Sequence, residues 1–368
     1  MPSYKTDSRI VLTLDAGGTS FRFRAIRGNE FVTETIVLPS NGDDLDLCLK
    51  NIIEGFKRIL ALCQKKPSAL SFAFPGPADY PNGIIGDLPN LPAFRGGIAL
   101  GEMLKQKFKI PVFINNDGDL FTYGEAIAGF LPFVNGLLKK AGSPKRYKNF
   151  LGITLGTGLG GGIVRSGELF AGDNSLACEI HLLRHKLKPE TNAEEGACIR
   201  AARRAYAELA GIAFEKAPDP KTIEQIALGD APGNQAAAIA SYRRLGEVVG
   251  DAMANALALV DGLAVIGGGI SKSWRLFLPA LMDELNGFYI SPSGNKFRRL
   301  SSTAFNLEDK SQLKKFLKGE SRVIKIPGSN RKIKYDPLQR IGVGISRLGT
   351  SEAIAIGAYA FALKQLDN

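Results

Sequence analysis

A short apolar run that ends in an aspartate and a glycine pair is the feature that most restricts the fold of this chain. Residues 12–22 read L-T-L-D-A-G-G-T-S-F-R. The apolar residues predict a buried strand, and the glycines permit a tight hairpin reversal whose N–H groups can approach phosphate oxygens. Asp15 stands where it could hold a hydrated divalent cation. We expect Gly17, Gly18 and Thr19 to form a turn that faces phosphate groups.

Two more glycine turns follow apolar strands farther along the chain. Thr157 and Gly158 lie in the first of them, at 156–162, where a hydroxyl group and backbone N–H groups can donate to phosphate oxygens. Gly268 and Gly269 lie in the second, which carries no donor side chain. That turn suits a flat group, such as adenine or ribose, lying against bare backbone.

The turn at 156–161 also matches G-x-G-x-x-G, a pattern of dinucleotide-binding folds. In those folds the last glycine begins a helix. Here the chain continues G-I-V-R-S-G-E-L, which predicts a strand and a turn, so a hairpin is favoured over a dehydrogenase fold. The other common phosphate-binding sequence, G-x-x-x-x-G-K-[ST], does not occur.

Apolar strands alternate with helical patterns in two stretches that join near residue 117. This alternation predicts an α/β fold of two lobes with a cleft between them, and 368 residues are enough for two cores. We assign residues 1–116 and 353–368 to a small lobe and residues 117–352 to a large lobe. Near the start of the small lobe, the pattern predicts one strand over 31–38.

Composition favours a small-molecule partner. The net charge is +11, but the segment 288–340 contains thirteen Lys and Arg against four acids, so the rest of the chain is close to neutral. Because the segment is rich in Ser, Gly and Asn and no DNA- or RNA-binding pattern accompanies it, we interpret it as a solvated insertion in the large lobe. No stretch is apolar enough for a membrane span, which predicts a cytoplasmic protein.

Polar residues follow a short strand at the junction of the two stretches. Residues 115–117 read N-N-D, and the motifs P-G-P and P-N-L-P occur upstream at 75–77 and 89–92. An aspartate at the end of such a strand is a candidate functional residue. A turn that caps the following helix would explain the same residues and could coexist with catalysis.

The order of these motifs resembles that of the actin-like ATPase and sugar-kinase superfamily, which has a ribonuclease H-like fold, and within it the ROK family of sugar kinases. The resemblance implies that Asn116 binds sugar hydroxyls and that Asp117 contacts the sugar as catalytic base. It also implies that Gly76 and Asn90 lie at the sugar pocket. The nucleotide would be ATP, with Mg²⁺ held by Asp15 through water.

One segment departs from the family pattern. Typical members carry E-I-G-H followed by a cysteine-rich zinc loop, whereas this chain reads C-E-I-H-L at 178–182 and lacks the cysteine cluster. Glu179 can be carried over as a sugar ligand, but His181 falls one position early and could equally be a pocket-wall or surface residue. Of Glu194 and Glu195, we favour Glu195 as the second sugar-binding carboxylate. The chain most resembles zinc-less ROK hexokinases and glucokinases, and we expect no zinc.

The resemblance implies a kinase that transfers the γ-phosphate of ATP to the 6-hydroxyl of glucose or a related hexose. Kinases for N-acetylglucosamine, N-acetylmannosamine or fructose are the alternatives within the family, and a non-catalytic sugar sensor is a remote one. Only fourteen residues precede Asp15, too few for the DNA-binding domain of a ROK repressor. The sugar motifs argue against a filament-forming or chaperone-like ATPase. A homodimer is expected by analogy.

Overall fold

The computed structural model describes residues 4–17, 19–76, 78–86 and 92–368. The chain divides into two compact units. The first comprises Met1–Gly129, Gly162–Ala177 and Leu348–Asn368, and the second comprises Phe130–Gly161 and Cys178–Arg347. Both contain helices and strands, which confirms the expected α/β class with two lobes.

Helices and strands cover most of the described residues. The α-helices are α1 (Leu45–Leu62), α2 (Leu100–Phe108), α3 (Asp117–Ile127), α4 (Phe130–Lys140), α5 (Ile199–Ala210), α6 (Pro220–Leu228), α7 (Gln235–Val260), α8 (Trp274–Leu285), α9 (Lys310–Lys318) and α10 (Thr350–Asp367). The first eight strands are β1 (Val11–Ala16), β2 (Ser20–Arg27), β3 (Glu30–Phe31), β4 (Ile36–Pro39), β5 (Ala69–Ala73), β6 (Ala78–Asp79), β7 (Ile84–Ile85) and β8 (Val112–Asn115). The others are β9 (Phe150–Leu155), β10 (Leu159–Arg165), β11 (Glu168–Leu169), β12 (Leu263–Gly267), β13 (Phe288–Ile290), β14 (Lys296–Arg298), β15 (Thr303–Asn306), β16 (Arg322–Lys325), β17 (Lys332–Tyr335) and β18 (Arg340–Ile345).

The sheet of the first unit has the order β3-β2-β1-β5-β8, and β4 also pairs with β2. Strands β1, β5 and β8 are parallel to one another, whereas β1 and β2 form an antiparallel hairpin. In this register Asp15 lies level with Ala73, and Ala73 lies level with Asn115. The carboxyl ends of three parallel strands therefore meet at one edge, where ligands bind in open α/β sheets.

Aromatic side chains fill the core between this sheet and α1. The ring of Phe56 on α1 lies 5.1 Å from Phe23 and 5.6 Å from Phe72, measured between ring centroids. Gly55 is required beside them, because a Cβ at this position would lie 2.1 Å from the ring of Phe23. All three rings are fully buried, so they anchor the sheet that carries the site.

Helices α3 and α10 pack closely within the first unit. A Cβ on Gly124 would lie 1.9 Å from the backbone oxygen of Ala353, and one on Gly357 would lie 1.9 Å from that of Leu120. The two glycines thus let the helix backbones touch. This contact explains why the first unit extends to Gly129, past the boundary that the sequence places at 116.

Strands β9, β12, β18 and β15 form a parallel sheet in the second unit, in that order. Helices α7 and α8 pack closely in the same unit, since a Cβ on Gly246 would lie 2.2 Å from the backbone oxygen of Phe277. None of the helices in the described part of the chain is long and apolar enough to cross a membrane.

The basic segment 288–340 is not one solvated insertion, and that prediction is wrong. Strand β15 lies at the edge of the parallel sheet beside β18, between two exposed hairpins, β13–β14 and β16–β17. Arg340 is fully buried and forms an ion pair of 2.7 Å with Asp336. The sequence could not distinguish these regions, because the same basic residue types occur in the exposed hairpins and in the buried ion pair.

Candidate active site

One group of candidate site residues lies at the carboxyl edge of the first unit's sheet. Asp15 comes near the end of β1, Gly76 follows β5, and Asn116 and Asp117 follow β8. Because these strands are adjacent and parallel, the fold brings together the four residues that the sequence predicts from separate motifs. Asn90 and Gly18, predicted for the sugar and phosphate sites, lie outside the described residues.

The turn after Asp15 is a tight hairpin. The N–H group of Gly17 donates to the backbone oxygen of Ser20 at 3.1 Å, and a Cβ on Gly17 would lie 2.9 Å from that oxygen. The backbone reversal therefore favours a glycine at this position. Thr19 is exposed, so its hydroxyl group is accessible to a ligand, as the phosphate-loop prediction requires.

Asn116 has a structural role in addition to its predicted binding role. Its Oδ1 accepts hydrogen bonds from the backbone N–H groups of Gly118 at 2.8 Å and Asp119 at 3.4 Å, so Asn116 caps α3. A Cβ on Gly76 would lie 3.6 Å from Asn116 Nδ2 and 2.7 Å from the hydroxyl of Tyr80. The amide Nδ2, beside a glycine that leaves room, is the group that can face a ligand.

The Asp117 side chain has surface that is accessible to solvent, although many protein atoms lie around its carboxyl group. Its Oδ1 accepts a hydrogen bond of 2.8 Å from the backbone N–H of Gly118. Desolvation raises the pKa of the Asp117 carboxyl above its usual range, and the nearby Asp15 carboxylate raises it further. A raised pKa moves an aspartate toward the basicity that a general base at neutral pH needs.

A second group of candidate residues lies in two glycine turns of the second unit. Gly267 lies level with Thr154 across the β12–β9 pair, so the turns after these strands are neighbours. Gly268 has a φ of 87°, and a Cβ there would lie 2.2 Å from the backbone oxygen of Leu155. Gly269 borders open space, and Thr157 is exposed. Both turns thus present backbone or hydroxyl groups on which a nucleotide could lie.

The structure separates Glu194 from Glu195. Glu194 Oε2 accepts a hydrogen bond of 3.1 Å from the backbone N–H of Leu159, at the end of the glycine turn. Glu195 forms ion pairs of 2.6 Å with Arg204 and 3.1 Å with Arg200, and Arg200 also lies 3.5 Å from Glu194 Oε1. Glu195 lines a cavity of about 520 Å³. The hydrogen bond from Arg204 lowers the pKa of Glu195. The sequence favours Glu195 as the second sugar ligand, and spacing cannot distinguish adjacent glutamates. The contact of Glu194 with the glycine turn makes Glu194 a candidate as well.

Glu179 and His181 are neighbours in a short 3-10 turn. His181 Nδ1 lies 3.1 Å from Glu179 Oε2, and both side chains are partly exposed. A carboxylate that keeps an accessible surface can still accept hydrogen bonds from a sugar. The sequence left the role of His181 open, and this contact assigns it a partner.

A metal ion bound beside Asp15 would have few protein ligands. The described ranges contain no group of three or more His, Cys, Asp or Glu side chains that could hold a metal ion. Mg²⁺ needs only one or two carboxylates because it keeps most of its water ligands. Asp15, partly exposed and close enough to Asp117 to influence its pKa, fits such a hydrated ion.

Two α/β units with glycine turns after parallel strands define the class of the actin-like ATPase fold. The chain belongs to the ROK family, whose profile matches residues 11–306. A crystal structure of a glucokinase from Parabacteroides distasonis is 51% identical in sequence with a TM-score of 0.89, and the match covers 99% of each chain.

More distant relatives agree with this family. A glucokinase from Halalkalibacterium halodurans is 28% identical over 310 residues, which are 77% of this chain and 88% of that protein. A ROK family glucokinase from Streptomyces griseus, solved in complex with glucose and AMPPNP, is 18% identical with a TM-score of 0.59, and the match covers 95% of this chain and 98% of that one. At this identity the second likeness concerns the fold alone.

Proposed function

We propose that this chain is an ATP-dependent hexokinase of the glucokinase type, which phosphorylates the 6-hydroxyl of glucose or a related hexose. One observation carries the proposal: Asp117, with a raised pKa, lies at the same sheet edge as Asp15 and Asn116. The chain is also 51% identical to a protein named glucokinase along nearly its whole length. Both observations fit a sugar kinase, which needs a base beside the acceptor hydroxyl.

The sugar is held and activated by the end of β8 and the turns that carry glutamates. Asp117 accepts the proton of the attacking hydroxyl, and Asn116 Nδ2 donates to a neighbouring hydroxyl. Glu179 accepts from sugar hydroxyls, as does Glu194 in place of Glu195. We choose Glu194 because Glu195 forms two closer ion pairs, 2.6 Å with Arg204 and 3.1 Å with Arg200, whereas Glu194 lies 3.5 Å from Arg200 alone. Positioning and one base are most of what phosphoryl transfer requires from the protein.

The nucleotide is held by the three glycine turns. Thr19, Thr157 and the backbone N–H groups of Gly17 and Gly158 bind phosphate oxygens, while Gly268 and Gly269 lie against the adenosine. Asp15 would hold Mg²⁺ through water ligands of the ion. When bound, the ion supplies charge neutralisation on the phosphates.

A coupled ADP-release assay tests the proposed function. We expect glucose-dependent ADP release with the sugar 6-phosphate as product, and lower kcat/KM for mannose, fructose, N-acetylglucosamine and N-acetylmannosamine. ADP release that does not depend on sugar would contradict the proposal. A preference for an amino sugar would assign the chain to another kinase of the family, and sugar binding without turnover would favour a sensor.

Three finer features belong to the same proposal. We expect a cytoplasmic protein with a role in glycolysis, a homodimer, and no zinc. Light scattering coupled to size exclusion measures the oligomeric state. Elemental analysis of protein purified without added metal measures zinc, and a stoichiometric amount whose chelation unfolds the protein would refute that part.

A further inference from the structure

A buried histidine supports the turn that carries Glu194, and the proposed mechanism does not use it. His185 is only 4% exposed. It belongs to a loop closed by an antiparallel bridge between Arg184 and Asn192. The N–H of His185 donates to the backbone oxygen of Thr191 at 3.0 Å, so both ends of the loop are held together.

The imidazole of His185 accepts hydrogen bonds from its own loop. Its Nδ1 lies 3.0 Å from the backbone nitrogen of Leu187 and 3.1 Å from that of Lys188, and both N–H groups donate to it. Nδ1 can accept only when it carries no proton, so the ring is neutral with its hydrogen on Nε2. Desolvation lowers the pKa of His185, and Lys188 lowers it further, which favours this neutral form.

The other side of the ring touches the turn that follows the loop. A Cβ on Gly196 would lie 2.4 Å from His185 Nε2 and 2.8 Å from a methyl group of Val248 on α7. The ring therefore lies directly against the backbone of the 3-10 turn Ala193–Gly196. Gly196 leaves the space that this contact needs.

Hydrogen bonds connect the segment around this 3-10 turn to the glycine turn after β9. Glu194 in the 3-10 turn accepts the N–H of Leu159. At the start of α5, three residues after the 3-10 turn, the N–H of Ile199 donates to the backbone oxygen of Gly156 at 2.9 Å. A Cβ on Gly158 would lie 2.6 Å from Glu194 Oε2. A shift of the 3-10 turn would therefore move both the carboxylate and the glycine turn.

We propose that His185 is a positioning residue for phosphoryl transfer: its neutral imidazole sets the place of Glu194 and, through Glu194, of the glycine turn that holds the nucleotide. The inference rests on the proposed function for the roles of Glu194 and Gly158. His185 touches neither substrate. Its effect should appear in the KM values for both substrates, since both the carboxylate and the turn depend on it.

Two variants separate the acceptor from the ring. His185→Asn keeps an oxygen that can accept N–H groups two and three residues ahead, as asparagine does in turns. His185→Phe keeps a ring but has no acceptor atom, so the N–H groups of Leu187 and Lys188 lose the atom to which they donate. We expect His185→Phe to raise the KM values for glucose and ATP by about tenfold, with a smaller fall in kcat, because small misplacements of binding groups are costly.

Asparagine should restore both KM values to within about threefold of the wild-type values, since the main-chain bonds are kept. Glu190→Gln, on an exposed part of the same loop, is the matched control and should behave as wild type. Two outcomes overturn the inference: His185→Phe with unchanged KM values, or His185→Asn as impaired as His185→Phe.

A double-mutant cycle with Glu194→Gln distinguishes positioning from a general loss of stability. If His185 acts through Glu194, the effects of His185→Phe and Glu194→Gln on KM will not add, whereas independent effects would refute the inference. Calorimetric binding of AMPPNP repeats the test without turnover, and there we expect the same rise in Kd. Absence of glucose-dependent ADP release in the wild type would refute the proposed function, and the AMPPNP result would still decide the role of His185.

Discussion

His181 Nδ1 lies 3.1 Å from Glu179 Oε2, so the two side chains that the sequence could not relate are in polar contact. Each side chain is 33% exposed, which leaves part of the carboxylate accessible. The contact therefore restricts the orientation of Glu179 and leaves an oxygen surface for the proposed sugar hydroxyl.

Removing the His181 imidazole should weaken sugar binding with little effect on turnover. For His181→Phe we expect the KM for glucose to rise roughly two- to tenfold, the range of one hydrogen bond's net contribution, with kcat nearly unchanged. His181→Gln, which keeps a donor, is the control and should be milder. Steady-state kinetics measure both, and an unchanged KM for His181→Phe would leave the contact without a role in binding.

Asp117→Asn should remove turnover and leave sugar binding. Asparagine keeps the size of the side chain but cannot accept the proton, so kcat should fall by about 10²- to 10⁴-fold. Calorimetric titration with glucose should give a Kd close to that of the wild type. A variant that retains more than about a tenth of wild-type kcat would refute the assignment, since a lost base costs more than that. Asp119 would then be the next carboxylate to test.

Asn116 requires a substitution that keeps its helix cap. Asn116→Ala would lose both the cap of α3, worth about 1 kcal/mol, and the Nδ2 donor. Asn116→Ser keeps an oxygen that can cap the helix and removes only the amide. We expect Asn116→Ser to raise the KM for glucose more than it lowers kcat, at a nearly unchanged melting temperature. Equal losses in kcat and kcat/KM would place Asn116 in the chemical step instead.

The raised pKa of Asp117 predicts the pH dependence of turnover. Only the carboxylate form can accept a proton, so kcat should fall as the pH drops through the raised pKa, above the value of about 3.9 for an ordinary aspartate. Because the pKa of Asp117 is raised in the folded state, ionisation of this carboxyl lowers the free energy of unfolding. The loss is complete above the raised pKa. Asp117→Asn should therefore raise the melting temperature more at pH 8 than at pH 4. An equal change at both pH values would contradict the shift.

The basic segment should divide into residues that matter for stability and residues that do not. Lys314, Lys315 and Lys318 are exposed on α9, and their joint replacement by alanine should leave kcat and both KM values nearly intact. Asp336→Ala would leave Arg340 buried without its partner, so we expect a loss of about 3–5 kcal/mol in the free energy of unfolding. Chemical denaturation measures this loss. A large rise in the KM for ATP in the triple variant would instead place these lysines at the nucleotide.

Sequence patterns predict correctly where the strands that carry the candidate site residues end. The hairpin expected after Gly156, in place of a dinucleotide-binding helix, is confirmed, because β10 begins at Leu159. The segment 31–38 was predicted as one strand and forms two, β3 and β4. The hydroxyl of Thr33 accepts the N–H of Ala25 at 3.0 Å, so a side chain takes a place that a backbone carbonyl would occupy in a continuous strand.

Other contacts could not be derived from local pattern. Nothing in the order of Glu194 and Glu195 indicates which one meets Leu159, since that depends on the turn in which they lie. The burial of Arg340 depends on Asp336 and on the ring of Phe316, whose centroid is 5.4 Å from the guanidinium carbon. These are tertiary contacts, and residue spacing alone cannot predict them.

The close packing of α3 and α10 has a consequence for the order in which the chain can fold during synthesis. The whole of the second unit, Phe130–Gly161 and Cys178–Arg347, leaves the ribosome before α10 does. Until then α3 lacks the helix whose backbone touches it at Gly124. The second unit can thus complete its sheet first, and the first unit, which contains Asp117, is completed only when α10 arrives.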